Sequence, residues 1–174
     1  MRRPGFTMVE VVAVAVILAI LAVSVIPAFS TIESVRRSAA ADEVARRFIV
    51  ARAHATATGE PAGLRVSVGE GAIDIIRIPH GGSLPGAVTG PLGEDRGTLV
   101  LPARFPGVTV ESVTRGDGGF GTGTIWFGHD GTPRIRDADF ADAGAAGEDS
   151  LVELTGGERV RVRRLSGSVE RESP

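Results

Sequence analysis

Residues 6–29 read FTMVEVVAVAVILAILAVSVIPAF, with one acid, Glu10, and no further charge until Glu33. The uncharged run over 11–32 is about 22 residues, and as a helix rising about 1.5 Å per residue it spans roughly 33 Å. That length matches a hydrocarbon layer of roughly 30 Å and predicts a transmembrane helix over 6–29. A cleaved secretory signal has a shorter apolar region ending in a small-x-small site, which Pro27-Ala28-Phe29-Ser30 fits poorly. A helix in a soluble core is normally apolar on one face only. Arg2 and Arg3 precede the run and favour a cytoplasmic N-terminus with the C-terminal bulk outside, although Arg36 and Arg37 offset part of that asymmetry. Glu10 has two readings: an acid at the headgroup level, where water reaches it, or a functional acid inside the apolar layer, where its charge is costly.

From about residue 30 to 58 the pattern turns one-sided. Ile32, Val35, Ala39, Val44, Phe48, Ile49 and Ala51 recur at near-helical spacing, with Glu33, Arg36, Arg37, Asp42, Glu43, Arg46 and Arg47 between them. The helix is therefore expected to continue as an amphipathic segment over 30–60 and to stop at Gly59-Glu60-Pro61. Beyond Pro61 the period becomes two: Leu64, Val66 and Val68 alternate with polar residues, and a Gly69-Glu70-Gly71 turn leads into a second strand over 72–78. A long loop is expected over 79–97, then strands over 98–101, 108–115, 124–127, 150–154 and 159–165. The fold class is α+β, a long N-terminal helix packed on a C-terminal antiparallel β-domain over 61–174.

Composition narrows the function. There is no cysteine, so neither a disulfide framework nor a thiolate metal site can form. The 24 glycines and 10 prolines lie mostly after Gly59. The basic residues, 19 in all, are every one arginine, and the formal charge of -2 excludes a general nucleic-acid binder.

Catalytic chemistry finds little support. His54, His80 and His129 lack the paired spacing of a metal site, and His129-Asp130-Gly131 reads as a hairpin turn. The glycine-rich GDGGFGTG at 116–123 lacks the lysine and following helix of a phosphate loop. Asp137, Asp139 and Asp142 read as a solvated acidic loop, with weak calcium binding as the alternative. No nucleophile, base and orienter set is present, so a non-enzyme with no cofactor and no metal is expected. One stripe stands out: Arg159, Arg161 and Arg163 alternate along a strand and share a face, with Arg164 beside them and Arg171 near the tail. It reads either as a phosphate-binding stripe or as an exposed face paired with nearby acids. Glu153, Glu158, Glu170 and Glu172, and the lack of interleaved aromatics, favour the second.

Arg2-Arg3-Pro4-Gly5 followed by Phe6-Thr7-Met8-Val9-Glu10 resembles the N-terminal signal of type IV prepilins and type II secretion pseudopilins. The resemblance implies that residues 1–5 are a leader cut after Gly5 by prepilin peptidase, a membrane aspartyl protease, which then methylates the new amine of Phe6. It implies that Glu10 pairs with the Phe6 ammonium of a neighbouring subunit, and that Pro27 bends the helix. The segments Thr124-Ile125-Trp126-Phe127-Gly128-His129-Asp130-Gly131, Val160-Arg161-Val162 and Leu165-Ser166-Gly167-Ser168-Val169 resemble the GspH/FimT type of minor pseudopilin or minor pilin. On this resemblance the partners are prepilin peptidase, other pilins in a filament, the inner membrane and an exported protein substrate. The alternative it carries is a DNA-binding minor pilin, using Arg159, Arg161, Arg163 and Arg164 during uptake.

Overall fold

Small residues decide which side of the helix can approach a sheet. In the computed structural model, which describes residues 7–82, 84–88 and 97–173 and the side chains of all of these except 22–30, helix α1 runs Met8–Thr58. Its inward face is Ala40, Ala41, Val44, Phe48, Ala51 and Ala55, each fully buried. The spacing is that of a single helical stripe, and four alanines let the sheet backbones come close. The amphipathic reading is right for Val44, Phe48 and Ala51 and wrong for Ile32, Val35, Ala39 and Ile49, which are exposed. The stripe passes through Ala40, and Ile49, one residue past Phe48, is rotated by about 100° off it.

The chain divides into two compact units, Met1–Arg36 and Arg37–Pro174, so the boundary falls inside the helix. In the first, every described apolar side chain over 8–21 is exposed. Among the described residues no helix is long and apolar enough to cross a membrane. This corrects the transmembrane assignment of 6–29, and with it the single-pass inner-membrane location with a cytoplasmic N-terminus. The described apolar stretch, 8–21, is shorter than the roughly 20 residues a span takes, and it carries Glu10 in its first turn.

The second unit holds two antiparallel sheets. Strands β1 (Ala62–Val66) and β2 (Ala72–Arg77) form the expected hairpin, Leu64 opposite Ile75. Strands β3 (Gly86–Ala87) and β4 (Leu99–Val100) both pair with β2. The other side of β1 pairs with β6 (Gly123–Phe127), followed by β7 (Pro133–Arg136) and β8 (Asp142–Ala145). The second sheet has the order β11-β10-β9-β5, from β5 (Val110–Thr114), β9 (Ser150–Leu154), β10 (Arg159–Val162) and β11 (Val169–Glu172). The expected strand over 98–101 is cut short because the chain turns at Leu101 into the four-residue helix α2 (Leu101–Arg104). Pro102 lies in its first turn, where a missing N–H costs nothing.

One cluster of buried side chains takes members from α1 and from both sheets, including Leu64, Ile73, Val113, Phe127, Val152 and Val160. Phe48 meets Phe127 edge-on, ring centres 6.3 Å apart. Two turns close the structure at the C-terminal part of α1. The β6–β7 turn places Gly131 at φ 75°, and its carbonyl accepts a hydrogen bond from Arg52 Nε at 3.1 Å. Gly167, at φ 63° in the β10–β11 turn, packs so closely on the same carbonyl that a Cβ there would strike the oxygen.

Candidate functional site

The helix start is built from Thr7 and Glu10. Glu10 Oε2 accepts from the Thr7 amide at 3.3 Å, and the Glu10 amide donates to Thr7 Oγ1 at 3.3 Å. This reciprocal pair is a capping box, which satisfies two backbone donors that a helix start leaves open. The Thr7-Met8-Val9-Glu10 spacing is itself a sequence signal for this cap, beside the depth and partner charge of Glu10. Beyond it the apolar side chains are uncovered on all sides: Met8 is 84% exposed and Leu18 59%. Gly5 and Phe6 lie outside the described residues. Pro27 lies within α1, and its side chain is outside the described set.

The arginine stripe is a ladder of ion pairs. Arg159 meets Glu153 at 2.9 Å, Arg161 meets Glu172 at 2.8 Å and Asp149 at 3.6 Å, and Arg163 meets Glu170 at 2.8 Å and Asp149 at 3.1 Å. Arg164 donates its amide to Asp149 and its guanidinium to the Gly147 carbonyl, while Arg171 reaches Asp42 on α1 at 2.8 Å. The Asp149 carboxyl is held below the usual carboxylate range, first by the Arg164 amide and then, against some burial, by Arg163. Strand register explains the ladder. Arg159 lies directly opposite Glu153. Arg161 and Arg163 reach Glu172 and Glu170 diagonally, each two residues along from the register position at which Glu172 faces Arg159 and Glu170 faces Arg161. Guanidiniums so engaged offer phosphate little uncompensated charge, and the geometry favours the paired-face reading of the stripe.

Two acids are buried where the helix meets the sheets. Glu43, 9% exposed, accepts from Arg46 at 2.8 and 2.9 Å and lies 3.4 Å from Arg47 and 3.8 Å from Arg104. Glu60, at the end of α1, accepts from Arg77 at 2.6 Å and from the His80 amide at 3.1 Å, with His54 at 3.8 Å. Arg46 chiefly lowers the Glu43 pKa and Arg77 that of Glu60, each against burial. Glu60 ties the end of the helix to Arg77 of β2, and Glu43 faces Arg104 of α2. His80 also lies 3.3 Å from the Thr58 carbonyl, while His129 is exposed in the β6–β7 turn. Among the described residues no group of three or more His, Cys, Asp or Glu side chains could hold a metal ion. Asp137 accepts the amides of Asp139 and Ala141, which makes it a turn former.

The sequence reading passed over a cleft on the first sheet, lined by Trp126 and Ile125 of β6, Arg134 and Arg136 of β7, and Arg115 after β5. The Arg136 guanidinium lies 5.7 Å from the Trp126 ring centre, and Phe140 meets the same ring edge-on at 6.3 Å. Burial lowers the Arg136 pKa. The Pro-Arg-Ile-Arg strand is only four residues long and opens on proline, so its pattern does not mark it as a strand.

Against known proteins, the prokaryotic N-terminal methylation motif matches residues 1–26. Two structures of the minor pseudopilin EpsH from the type 2 secretion system of Vibrio cholerae superpose on 80% of this chain, covering 96% and 97% of their own. Both give a TM-score of 0.57, at 11% and 10% identity. The fold is that of a minor pseudopilin. No curated protein sequence matches the chain. The pseudopilin fold and the methylation motif together make the chain pilin-like, as the resemblance of residues 2–10 and of the later segments implies.

Proposed function

We propose that the protein is a minor subunit of a pilin-like filament, serving a secretion or pilus apparatus, and that it assembles through its N-terminal helix. The observation that carries this reading is the helix over 8–21, apolar on every side past Glu10 and uncovered, lying within the residues that the methylation motif matches. A helix apolar all round is stable only when neighbours cover it. Helices of adjacent subunits supply such a cover, at about 1.5–3 kcal/mol for each large side chain removed from water. Prepilin peptidase cuts between Gly5 and Phe6 and methylates Phe6. The new ammonium then pairs with Glu10 of a neighbour, so that two charges in an apolar bundle satisfy each other. Pro27, lacking an N–H, loosens the helix locally during packing. The β-rich unit is left to meet other subunits or an exported protein.

The test is intact-mass and N-terminal peptide spectrometry of the full chain, expressed with and without a cognate prepilin peptidase. The expected product begins at Phe6 and carries one added methyl group. A chain that keeps its leader beside an active peptidase would rule the reading out.

A further inference from the structure

The cleft beside Trp126 has a volume of about 210 Å³. Its polar groups are unevenly satisfied. Arg115 is held by Asp117 at 3.4 Å, and Arg134 by Asp130 at 3.2 Å and Asp142 at 3.9 Å. Arg136 has no carboxylate within ion-pair distance among the described residues; it donates Nη1 to the Phe140 carbonyl at 2.5 Å. Among the described residues the Nε atoms of both Arg134 and Arg136 are buried and have no hydrogen-bond partner. Buried donors left open in this way call for an acceptor. Ser150, only 2% exposed, lines the same cleft. Asp137 lines it too, but one of its oxygens already takes two backbone amides.

We propose that this cleft binds a carboxylate carried beside an apolar group on a partner peptide, the carboxylate on Arg136 and Arg134 and the apolar group against Trp126 and Phe140. Asp142 and Asp137 act on the Arg136 guanidinium only from beyond ion-pair distance, so it suits a monoanion, and a planar carboxylate matches the guanidinium fork. Trp126 is only 4% exposed, so the half-buried Phe140 packed on its edge gives the neighbouring group most of its apolar wall. The site lies in the β-rich unit and does not depend on the assembly reading, so either can fail alone.

Trp126 is the only tryptophan in the chain, so its fluorescence reports the cleft directly. Full-length protein is titrated with N-acetyl-leucine, N-acetyl-leucinamide, acetyl-Leu-Glu-amide and inorganic phosphate. The expected result is a saturable response to N-acetyl-leucine, with the uncharged amide and phosphate weaker by about tenfold or more. A comparable response to acetyl-Leu-Glu-amide would make an acidic side chain the source of the carboxylate; a weaker one would make it a chain end. Equal responses to acid and amide, no response to any probe, or tighter binding of phosphate would each overturn the proposal. Arg136→Met, checked for folding by circular dichroism, should weaken N-acetyl-leucine by about tenfold, and parental affinity in that variant would also overturn it. If the variant does not fold, the acid-against-amide comparison on the unaltered protein still decides.

Discussion

Two stretches of one helix, 8–21 and 40–55, treat apolar residues in opposite ways. The first is almost wholly valine, isoleucine, leucine and alanine, and its side chains are exposed throughout. The second carries six charged or polar side chains among its sixteen residues, yet its six inward residues are completely buried. Hydrophobic content therefore says little about where a core forms; the arrangement of small residues on one face says much more. Stability belongs to the second stretch and, on our reading, association to the first.

The sharpest break of this contrast is Phe48→Ala, which removes a fully buried ring from its contact with Phe127. We expect a loss of about 3–5 kcal/mol in urea unfolding. Gly167→Ala should cost about 1–3 kcal/mol, because the backbone is left-handed there and the new methyl meets the Gly131 carbonyl. Arg77→Met strands the nearly buried Glu60 and should cost a similar 1–3 kcal/mol, about the value of an unsatisfied buried group. Its effect depends on pH. Glu60 and Glu43 titrate below the ordinary glutamate value of about 4.3, so the folded chain binds their protons less readily than the unfolded chain. Their contribution is complete above that value and is lost as the pH falls through the lowered pKa values. Arg77→Met should therefore flatten part of the fall in urea midpoint between neutral pH and the acid side.

Smaller effects are expected in the first stretch. Leu18→Ala should shift the unfolding midpoint by no more than about 0.5 kcal/mol while reducing incorporation into filaments, scored by co-purification with other subunits. Glu10→Gln keeps the acceptor that caps Thr7 and removes the charge, whereas Glu10→Val removes both. Poor incorporation of both variants would support charge pairing between subunits, and normal incorporation of the Gln variant would reduce Glu10 to a helix cap.

Much of the fold was legible because its signals are local. The Leu64/Val66 alternation, the Gly69-Glu70-Gly71 turn and the stop at Gly59 mark β1, β2 and the end of α1 in the sequence itself. Strands β7 and β8 were not legible: Pro-Arg-Ile-Arg opens with a residue that strands seldom hold, and Asp-Ala-Gly-Ala has no apolar face. Strand β7 exists because β6 offers an edge, and β8 because β7 in turn does, which are tertiary facts. The arginine stripe was legible as spacing, whereas its acids come from the turn before β9, from β9 itself and from β11, and only strand register brings them to it. The cleft around Trp126 was hidden for the same reason, since its arginines lie on a strand the pattern did not mark.

The meeting of Arg52, Gly131 and Gly167 has a dynamic consequence. A single carbonyl joins the helix to one turn from each sheet. Among the described residues the two sheets share no ladder hydrogen bonds with each other, and on that ground alone their amides could exchange with deuterium independently. The shared carbonyl makes the β6–β7 turn of one a neighbour of the β10–β11 turn of the other. Protection of β6–β7 and of β10–β11 should therefore fade together, as one cooperative opening, with the second half of α1 fading at the same rate.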